Sequence, residues 1–372
     1  MGLAIHRDVR DGVDAPLDGG RPQTVAEHAH PRAVAEAIDI GCSEWIEFLG
    51  RQDRATPFHH PAWARVVSEV YGFQAAAFVV RAVDGTIAAG LPAIRVPSFG
   101  RRARWKCLPF TDECAPLGPD HDVSMLMSSL RDRPGEDWEV RAEVPGFGTL
   151  QTVAVRHCLD LRPGLDKLSA GFHRSQVQRA LRKAQRDGVV DVRDARERAD
   201  LTDVYYGLHV ETRKRQGVPP QPRRLFGALW DELHTNGLAS TQLAWIQGQP
   251  VAGAVFLHWN RILVYKYGAS RADAWKAHPN HLIFWRAIQR GCETGMTHLD
   301  LGLSDPANRG LRAFKSNWGA QEQELRYSSS GSRPQHRTSS RSPAQALIGG
   351  AIRRSPPRVC EWIGTVLYRF AA

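Results

Sequence analysis

The residues best suited to chemistry lie between Asp300 and Lys315, near the end of the chain. A short predicted strand over residues 296–301 places the Asp300 side chain opposite the strand's leucines. A polar loop follows, and then one or two helical turns that carry Phe314 and Lys315. A carboxylate can accept a proton or orient a substrate group, and a fixed cation can stabilise an oxyanion. The loop adds four candidates for substrate contact: Ser304, Asp305, Asn308 and Arg309.

Each of these residues also has a purely structural explanation. Lysine is favoured near helix C-termini by the helix dipole, so Lys315 could be an ordinary surface residue. Asp300 could satisfy main-chain amides of the loop over residues 302–310, and the loop side chains could stabilise the turn. The loop lacks the second glycine of a nucleophile elbow, which disfavours a serine hydrolase.

The elements that must position these residues are predicted from apolar periodicity. The region 152–161 is predicted to be a strand, 171–188, 201–216 and 223–235 to be helices, and 240–246, 251–259 and 261–268 to be a meander of strands. A helix opens at Pro279 and ends before Gly295, with its apolar face formed by Leu282, Trp285, Ile288 and Cys292. Tyr265 and Lys266, on the third meander strand, are candidates to line a cleft, although aromatic residues on strands are usually core.

The helix predicted over residues 171–188 carries a basic stripe beside its apolar face. The stripe consists of Arg179, Arg182, Lys183 and Arg186. Such a stripe could bind the phosphates of a tRNA, of coenzyme A or of a nucleotide-linked acceptor. The alternative is a solvated helix face.

The first half of the chain shows a simpler version of the same order. Residues 1–37, with their glycines and prolines, are predicted to be a flexible arm. A helix then follows with Trp45, Ile46 and Leu49 on its inner face, and a second helix opens at Pro61. Two strands, 75–83 and 86–96, are joined by the Asp84-Gly85 hairpin turn. An irregular apolar stretch over 105–117 precedes a helix over 123–130 and a strand over 138–144.

Composition limits the class of protein. The net charge of +10 and the pI near 9.6 favour an anionic partner. The six cysteines have no metal-finger spacing, so we expect reduced core thiols and no metal. The start of the chain has no signal-peptide core, and no apolar run is long enough to span a bilayer. These features predict a cytoplasmic protein.

Several blocks, in this order, resemble the FemABX-like branch of the GNAT acyltransferase superfamily. They are ATPFHHPAW, LPFTDECAPL, HRSQVQRALRKAQRDGV, VAGAVFLHW, YKYGAS and HLDLGLSDPANRGLRAFKSNWG, within residues 43–327. The resemblance implies an α+β fold class, with two GNAT-like domains that each hold a mainly antiparallel mixed sheet flanked by helices. We place these domains at residues 38–150 and 151–327, with the active cleft between them.

The resemblance also implies a reaction, in which an amine attacks an activated acyl carbon to form an amide. The lysine of a matching Phe-Lys pair stabilises the oxyanion in this branch, which assigns that role to Lys315 beside Phe314. No cofactor is implied, because the donor is a co-substrate: an aminoacyl-tRNA, as in the addition of amino acids to peptidoglycan precursors, or an acyl-CoA. The acceptor is expected to be an amine of a cell-envelope or peptide-metabolite precursor, or an amino sugar or other small amine for an acyl-CoA enzyme.

One sequence feature bears on the choice of donor. GNAT domains that use coenzyme A cradle its pyrophosphate on a glycine-rich turn after the third meander strand. In this chain the corresponding segment, 268–279, has no glycine after Gly268. The sequence therefore favours aminoacyl-tRNA over acyl-CoA.

The C-terminal region is predicted to contain a serine-rich linker over 328–343 and an amphipathic helix within 344–372. The apolar face of the helix consists of Val359, Trp362, Ile363, Val366, Leu367 and Phe370, flanked by arginines. This face could pack on the core, or it could rest on the inner face of an anionic membrane.

Overall fold

The computed structural model describes residues 34–98, 101–331 and 343–368. Most of the predicted N-terminal arm and linker, and Phe370, lie outside these ranges. The described residues belong to one compact unit.

The first half of the chain contributes five neighbouring strands and three helices. In chain order these elements are β1 (Glu36–Ile38), α1 (Ser43–Gly50), α2 (Pro61–Tyr71), β2 (Gln74–Arg81), β3 (Ile87–Ser98), β4 (Arg101–Lys106), α3 (Asp120–Arg131) and β5 (Asp137–Val140). Neighbouring strands are antiparallel except for β4 and β5, which are parallel. The hairpin predicted at Asp84-Gly85 is confirmed as the β2–β3 turn.

The second half repeats this order with longer elements. They are β6 (Thr149–Asp160), α4 (Leu165–Gly171), α5 (Arg179–Asp187), β7 (Asp191–Asp194), α6 (Tyr206–Gln216), α7 (Arg223–Leu229), β8 (Ala239–Ile246), β9 (Gln249–Trp259), β10 (Ile262–Ser270), α8 (Pro279–Glu293), β11 (His298–Ser304), α9 (Arg309–Ser316) and β12 (Gln321–Ser329). Single π-helical stretches precede α5 and α6 and follow α7. Two further helices, α10 (Pro343–Arg354) and α11 (Pro357–Leu367), close the described chain.

The strands form one mixed sheet of twelve within the described ranges, in the order β1-β2-β3-β4-β5-β12-β6-β11-β10-β9-β8-β7. Helices flank this sheet, and the predicted α+β fold class is confirmed. The two halves exchange strands. β6 follows β5 in the chain but pairs with β11, whereas β12, which follows α9, pairs with β5 and β6. Main-chain hydrogen bonds therefore run continuously from one half into the other.

Helix α2 shows how local sequence fixes an element. His60 caps its first turn by accepting the Ala62 amide through Nδ1 at 3.2 Å, Pro61 occupies the first helical position, and Gly72 ends the helix with a φ of 74°. The apolar residues Trp63, Val66, Val67 and Val70 of this helix are all buried.

The predicted inner face of α1 is partly wrong. Trp45 and Leu49 are buried, but Ile46 is exposed and Phe48 takes its place in the core. The Phe48 ring stacks on Trp45 with 5.4 Å between ring centroids. An aromatic ring buries more apolar surface than an isoleucine side chain, which favours this orientation of the helix.

The predicted face of α8 is also shifted around the helix. Ile288 is buried as expected, but Leu282, Trp285 and Cys292 are only partly buried. The main inner residues are instead Ile283, Phe284, Ala287 and Ile288. Phe284 turns the helix this way because its ring packs against both Tyr265 and Trp318.

Several predicted boundaries differ from the structure, among them that of the strand predicted over 296–301, which is β11 (His298–Ser304) and includes Ser304. Strand β1 begins inside the predicted arm, and β12 continues to Ser329, two residues into the predicted linker. Strand β4 takes in Trp105 and Lys106, and β5 ends at Val140 rather than at residue 144. The C-terminal region forms two helices, because Pro356 and Pro357 interrupt the pattern at Ser355.

Strand β10 contains Gly268, where the packing of Tyr265 leaves no room for a side chain. A Cβ atom on Gly268 would lie 1.5 Å from the hydroxyl oxygen of Tyr265. We expect Gly268→Ala to lower the free energy of unfolding by about 1 to 3 kcal/mol, because the Tyr265 ring must leave its packed position. Gly207→Ala on α6 is the matched control, since no atom lies within 4 Å of its Cβ position. We expect that change to raise stability by up to about 1 kcal/mol. Urea denaturation measures both, and equal effects would contradict the assigned packing.

Candidate active site

The parallel strands β10 and β11 separate partway along their length. They pair only from Ile262 to Val264 and from His298 to Asp300, although each strand continues beyond those residues. Both strands are irregular where they part, β10 between Tyr265 and Tyr267 and β11 after Asp300. The separation opens a gap in the sheet bordered by main-chain groups.

Gly302 lies in this gap and has a φ of 71°, a conformation that L-residues with side chains rarely adopt. A Cβ atom at this position would lie 3.2 Å from Asp112 Oδ2 and 3.3 Å from the main-chain oxygen of Tyr265. The glycine therefore lets a loop from the first half of the chain approach the gap.

Lys315 reaches the same gap from α9. Its side chain is buried, with 3% of its surface exposed, and Nζ donates to the main-chain oxygens of Gly302 at 2.8 Å and Leu303 at 2.9 Å. Loss of hydration lowers its pKa to about 8, although the charges of Asp112 and Asp300 oppose this shift. An ammonium has three N–H donors, so the two carbonyl bonds leave one for a substrate oxygen.

Asp300 is buried directly beside Gly302. Its Oδ1 accepts the Gly302 amide at 2.8 Å, and its Oδ2 accepts Arg156 Nε at 2.8 Å. Burial raises the pKa of this carboxyl group, and the charge of Arg156 opposes the rise. Because both oxygens are engaged, the geometry fits the predicted orienting role of Asp300 better than proton acceptance.

A loop between β4 and α3 supplies two further carboxylates. Asp112 Oδ1 accepts Lys266 Nζ at 3.2 Å, and Glu113 forms an ion pair with Arg156. The loop is held in place because the Tyr327 hydroxyl donates to the Asp112 main-chain oxygen at 2.6 Å. We call the buried and partly buried group at the gap the charge cluster: Asp112, Glu113, Arg156, Lys266, Asp300 and Lys315.

Lys266, predicted to line a cleft, belongs to this cluster. Desolvation lowers its pKa, and Asp112 opposes the change. Its Nζ lies 5.0 Å from the ring centroid of Phe58 and 5.5 Å from that of Trp63. Cation–π contact and the ion pair together keep Asp112 and Lys266 in place.

Two of the four loop candidates, Asp305 and Asn308, hold the turn between β11 and α9. Asp305 Oδ1 accepts the Ala307 amide at 2.8 Å, and Asn308 caps α9 by accepting the Leu311 amide at 3.1 Å. Ser304 is buried, and Arg309 is exposed. Tyr265 packs between Phe256 and Phe284, as a core residue does.

A cavity of about 630 Å³ lies on the other side of α9. Two of the predicted basic residues, Arg179 and Lys183, line it together with Phe314. Arg182 and Arg186 do not line the cavity. Further wall residues are Gln176, His278, His281 and Asn317. Burial lowers the pKa of His281 to about 4, so this wall is neutral at pH 7 and the positive charge comes from α5.

A second cavity of about 510 Å³ adjoins the charge cluster through Arg156. Strand β6 also contributes Cys158, and β12 contributes Gln321 and Gln323. Burial raises the pKa of Cys158 to about 11, so its thiol is protonated at pH 7. Amides and a neutral thiol suit a polar acceptor better than covalent catalysis by cysteine.

Sequence reasoning missed Asp112, Glu113 and Arg156. The first two are the only acidic residues in the apolar stretch LPFTDECAPL. Two adjacent carboxylates in an apolar stretch could have indicated a functional site. Arg156 gave no comparable signal, because its partner Asp300 lies 144 residues away in the chain. Within the described ranges, no group of three or more His, Cys, Asp or Glu side chains is arranged to hold a metal ion.

Comparison with known proteins relates the second half of the chain to a known domain. Residues 171–316 match the family model described as the acetyltransferase (GNAT) domain, which covers α5 to α9 and therefore the gap and Lys315. This part of the chain is therefore similar to GNAT acetyltransferase domains. Its fold is similar to the crystal structure of FemX, with a TM-score of 0.62 and 15% identity, over 79% of this chain and 96% of that one.

Two other structures are similar to this chain in fold. The C-terminal domain of a putative lysylphosphatidylglycerol synthetase from Agrobacterium fabrum gives a TM-score of 0.51 at 14% identity, over 78% of this chain and 90% of that one. A conserved protein of unknown function from Bacteroides thetaiotaomicron gives 0.54 at 10% identity, over 79% and 98%. No curated protein sequence matches the chain. At these identities the likeness is one of fold.

The lowered pKa of Lys315 predicts a specific dependence of stability on pH. Its pKa is about 8 in the folded protein against a usual 10.5, so the unfolded chain binds more protons between these values. Below pH 8 the lysine is protonated in both the folded and the unfolded state, so it adds nothing to the pH dependence of stability. Above pH 8 the free energy of unfolding of the natural protein should rise relative to Lys315→Met, by at most about 3 kcal/mol at pH 10.5.

Chemical denaturation at several pH values measures this difference. Lys276→Met, at an exposed position, controls for the removal of a lysine in general. A stability difference between the natural protein and Lys315→Met that stays flat from pH 7 to 10.5 would contradict the buried site.

Proposed function

We propose that this enzyme forms an amide bond on an amine of a cell-envelope or peptide-metabolite precursor, with an aminoacyl-tRNA as the favoured donor. The observation that carries the proposal is the buried Lys315 ammonium, held against the Gly302 and Leu303 carbonyls at a gap bordered by carboxylates. Such a site suits a reaction that develops negative charge on a carbonyl oxygen.

Lys315 is proposed to stabilise that oxygen. Attack by the acceptor amine breaks the C=O double bond and gives a tetrahedral intermediate with an oxyanion. The remaining N–H of the Lys315 ammonium donates to it. Because the ammonium is already desolvated and fixed by two hydrogen bonds, little reorganisation accompanies the reaction.

The proton of the attacking amine needs an acceptor, and Asp112 is the better placed carboxylate. Its Oδ1 is bound to Lys266, whereas its Oδ2 faces Gly302 in the gap. The amine nitrogen passes its proton to this carboxylate as the C–N bond forms. When the intermediate collapses, the oxyanion re-forms the C=O bond, the C–O bond of the ester breaks, and the departing ribose oxygen takes the proton held by Asp112. Asp300 positions the gap by holding the Gly302 amide and Arg156.

The loop before α8 supports an aminoacyl ester over a coenzyme A thioester as donor. Coenzyme A would need free main-chain amides in this loop to bind its pyrophosphate. The loop instead folds on itself. The amides of Trp275, Ala277 and His278 donate to loop carbonyls, at 3.3, 3.0 and 3.0 Å.

The cavity beside α5 would hold the 3′ end of the tRNA. Arg179 and Lys183 would contact its phosphates, and a base could stack on Phe314, which is partly buried in the wall. Phe314 and Lys315 are adjacent, so the cavity and the gap lie on two sides of the same short helix.

The alternative is an acyl-CoA-dependent N-acetyltransferase acting on an amino sugar or other small amine in polysaccharide biosynthesis. The matched domain model, which is described as an acetyltransferase, favours it. Lys315 and the carboxylates would serve both reactions equally, so the donor alone separates the two functions.

The proposed function is tested by offering the protein radiolabelled aminoacyl-tRNA and acetyl-CoA separately, with hydroxylamine as the amine. We expect transfer from aminoacyl-tRNA, and we expect Lys315→Met to slow it about 100- to 1,000-fold because the oxyanion loses its cation. Consumption of acetyl-CoA alone would establish the alternative. An unchanged rate for Lys315→Met would remove this residue from the mechanism.

A second test separates the cavity from the rest of the basic stripe. We expect Arg179→Gln with Lys183→Gln to weaken aminoacyl-tRNA binding. The slope of log affinity against log salt should become less steep by about 0.7 for each lost single-strand phosphate contact. Arg182→Gln with Arg186→Gln is the matched control on the same helix, and it too removes an ion-pair partner of Asp187. Equal changes in slope for both pairs would show that the stripe acts only as a diffuse positive surface.

A further inference from the structure

Helix α11 is attached to the core through a close backbone contact at Gly364. A Cβ atom on Gly364 would lie 2.0 Å from the main-chain oxygen of Pro220, so the helix backbone approaches the loop after α6 very closely. The Tyr368 hydroxyl donates to the Pro219 main-chain oxygen at 3.1 Å, and Cys360 is buried. Docking therefore uses the side of the helix that carries Cys360, Gly364 and Tyr368.

Three residues of the apolar face predicted from the sequence point away from this contact, whereas Ile363 and Leu367 are partly buried. Trp362 is 68% exposed, Val359 42% and Val366 38%. Their spacing of three and four places them on one side of the helix. On α10, Ile348 is 39% exposed. The two alternatives considered for this helix are thus compatible, because one face docks on the core while another remains open.

The residues around this face are basic. Arg354 and Arg358 are exposed beside it, and Glu361 is the one acidic residue of the described segment 343–368. Arg353 has a different role, since its guanidinium packs on Gly217 and donates to the main-chain oxygen of Gln216 at the end of α6. The open face therefore combines exposed apolar side chains with positive charge.

We infer that this face of α11 binds the surface of an anionic membrane. Trp362, Val359 and Val366 enter the boundary between headgroups and acyl chains, and Arg354 and Arg358 contact lipid phosphates. Tryptophan favours this boundary because its ring is apolar and its N–H is polar. Among the helices that the structure describes, none has the length and apolar character needed to cross a bilayer, so α11 lies along the surface.

The charge distribution favours a membrane over a second copy of the chain. In a twofold dimer each patch meets its own counterpart, so one interface would gather Arg354 and Arg358 from both copies. Like charges oppose that arrangement, whereas anionic headgroups neutralise them. This inference does not depend on the identity of the donor or acceptor.

The inference is tested by sedimentation of the full chain with vesicles of equal parts phosphatidylglycerol and phosphatidylcholine, and with phosphatidylcholine vesicles alone. We expect binding to the anionic vesicles. Arg354→Gln with Arg358→Gln should weaken it about 25-fold, from roughly fivefold for each arginine near the surface. Trp362→Ser with Val366→Ser should weaken it at least about tenfold. Thermal unfolding should not change, because these side chains are exposed.

Matched controls come from exposed residues elsewhere. Arg51→Gln with Arg54→Gln removes the same charge, and Val83→Ser with Val189→Ser removes exposed apolar side chains. Equal loss of vesicle binding in the charge control would overturn the inference, since any basic surface would then suffice. So would absence of vesicle binding by the natural chain. A different outcome would assign this face to a second copy of the chain. In that case the natural protein forms a concentration-dependent dimer, and Trp362→Ser with Val366→Ser makes it monomeric without changing vesicle binding.

Discussion

The site depends on keeping one ammonium group out of water. Burying an unpaired charge is costly, and here the cost is offset by two main-chain carbonyls and by the nearby charges of Asp112 and Asp300. The carbonyls are available because β10 and β11 stop pairing after three residues of each strand. Gly302 and Asp300 maintain this irregularity. Gly302 has a positive φ, and the Asp300 carboxylate accepts its amide. The Lys315 ammonium therefore depends on both the separation of β10 and β11 and the backbone conformation of Gly302.

Strand exchange brings the other charged groups to this arrangement. If β6 stayed with β5, Arg156 would lie away from Asp300, but β6 pairs with β11 and places the two residues on neighbouring strands. Strand β12 returns to β5, and its Tyr327 clamps the loop that carries Asp112. The matched domain model covers only the second half, yet the charge cluster also requires Asp112 and Glu113 from the first. Residues 101–140 therefore supply Asp112 and Glu113, whereas Lys315 and Asp300 come from the second half.

Local sequence predicts the type and approximate position of most helices and strands. Proline, glycine and apolar spacing correctly predicted α2, the β2–β3 hairpin and the β8–β10 meander. The predicted inner faces of α1 and α8 are wrong in part, because periodicity does not show which aromatic rings pack together. In the structure Phe48 packs on Trp45, and Phe284 packs on Tyr265. Lys315 was found through the family resemblance. The pairing of Arg156 with Asp300 and the approach of Asp112 depend on strand order and register, which are long-range properties. The open face of α11 was predicted as an apolar stripe, but its docking through Gly364 depends on close packing that appears only in three dimensions.

The central claim is that Lys315 acts on the charged oxygen of the transition state rather than on the bound donor. The most direct measurement compares the affinity of the natural protein and of Lys315→Met for two ligands: a non-hydrolysable aminoacyl-RNA amide, and a phosphonate that carries the tetrahedral oxyanion on the same RNA. The account predicts that Lys315→Met binds the phosphonate about 100-fold more weakly and the amide nearly as well as the natural protein does. Equal weakening for both ligands, or no change for the phosphonate, would contradict it.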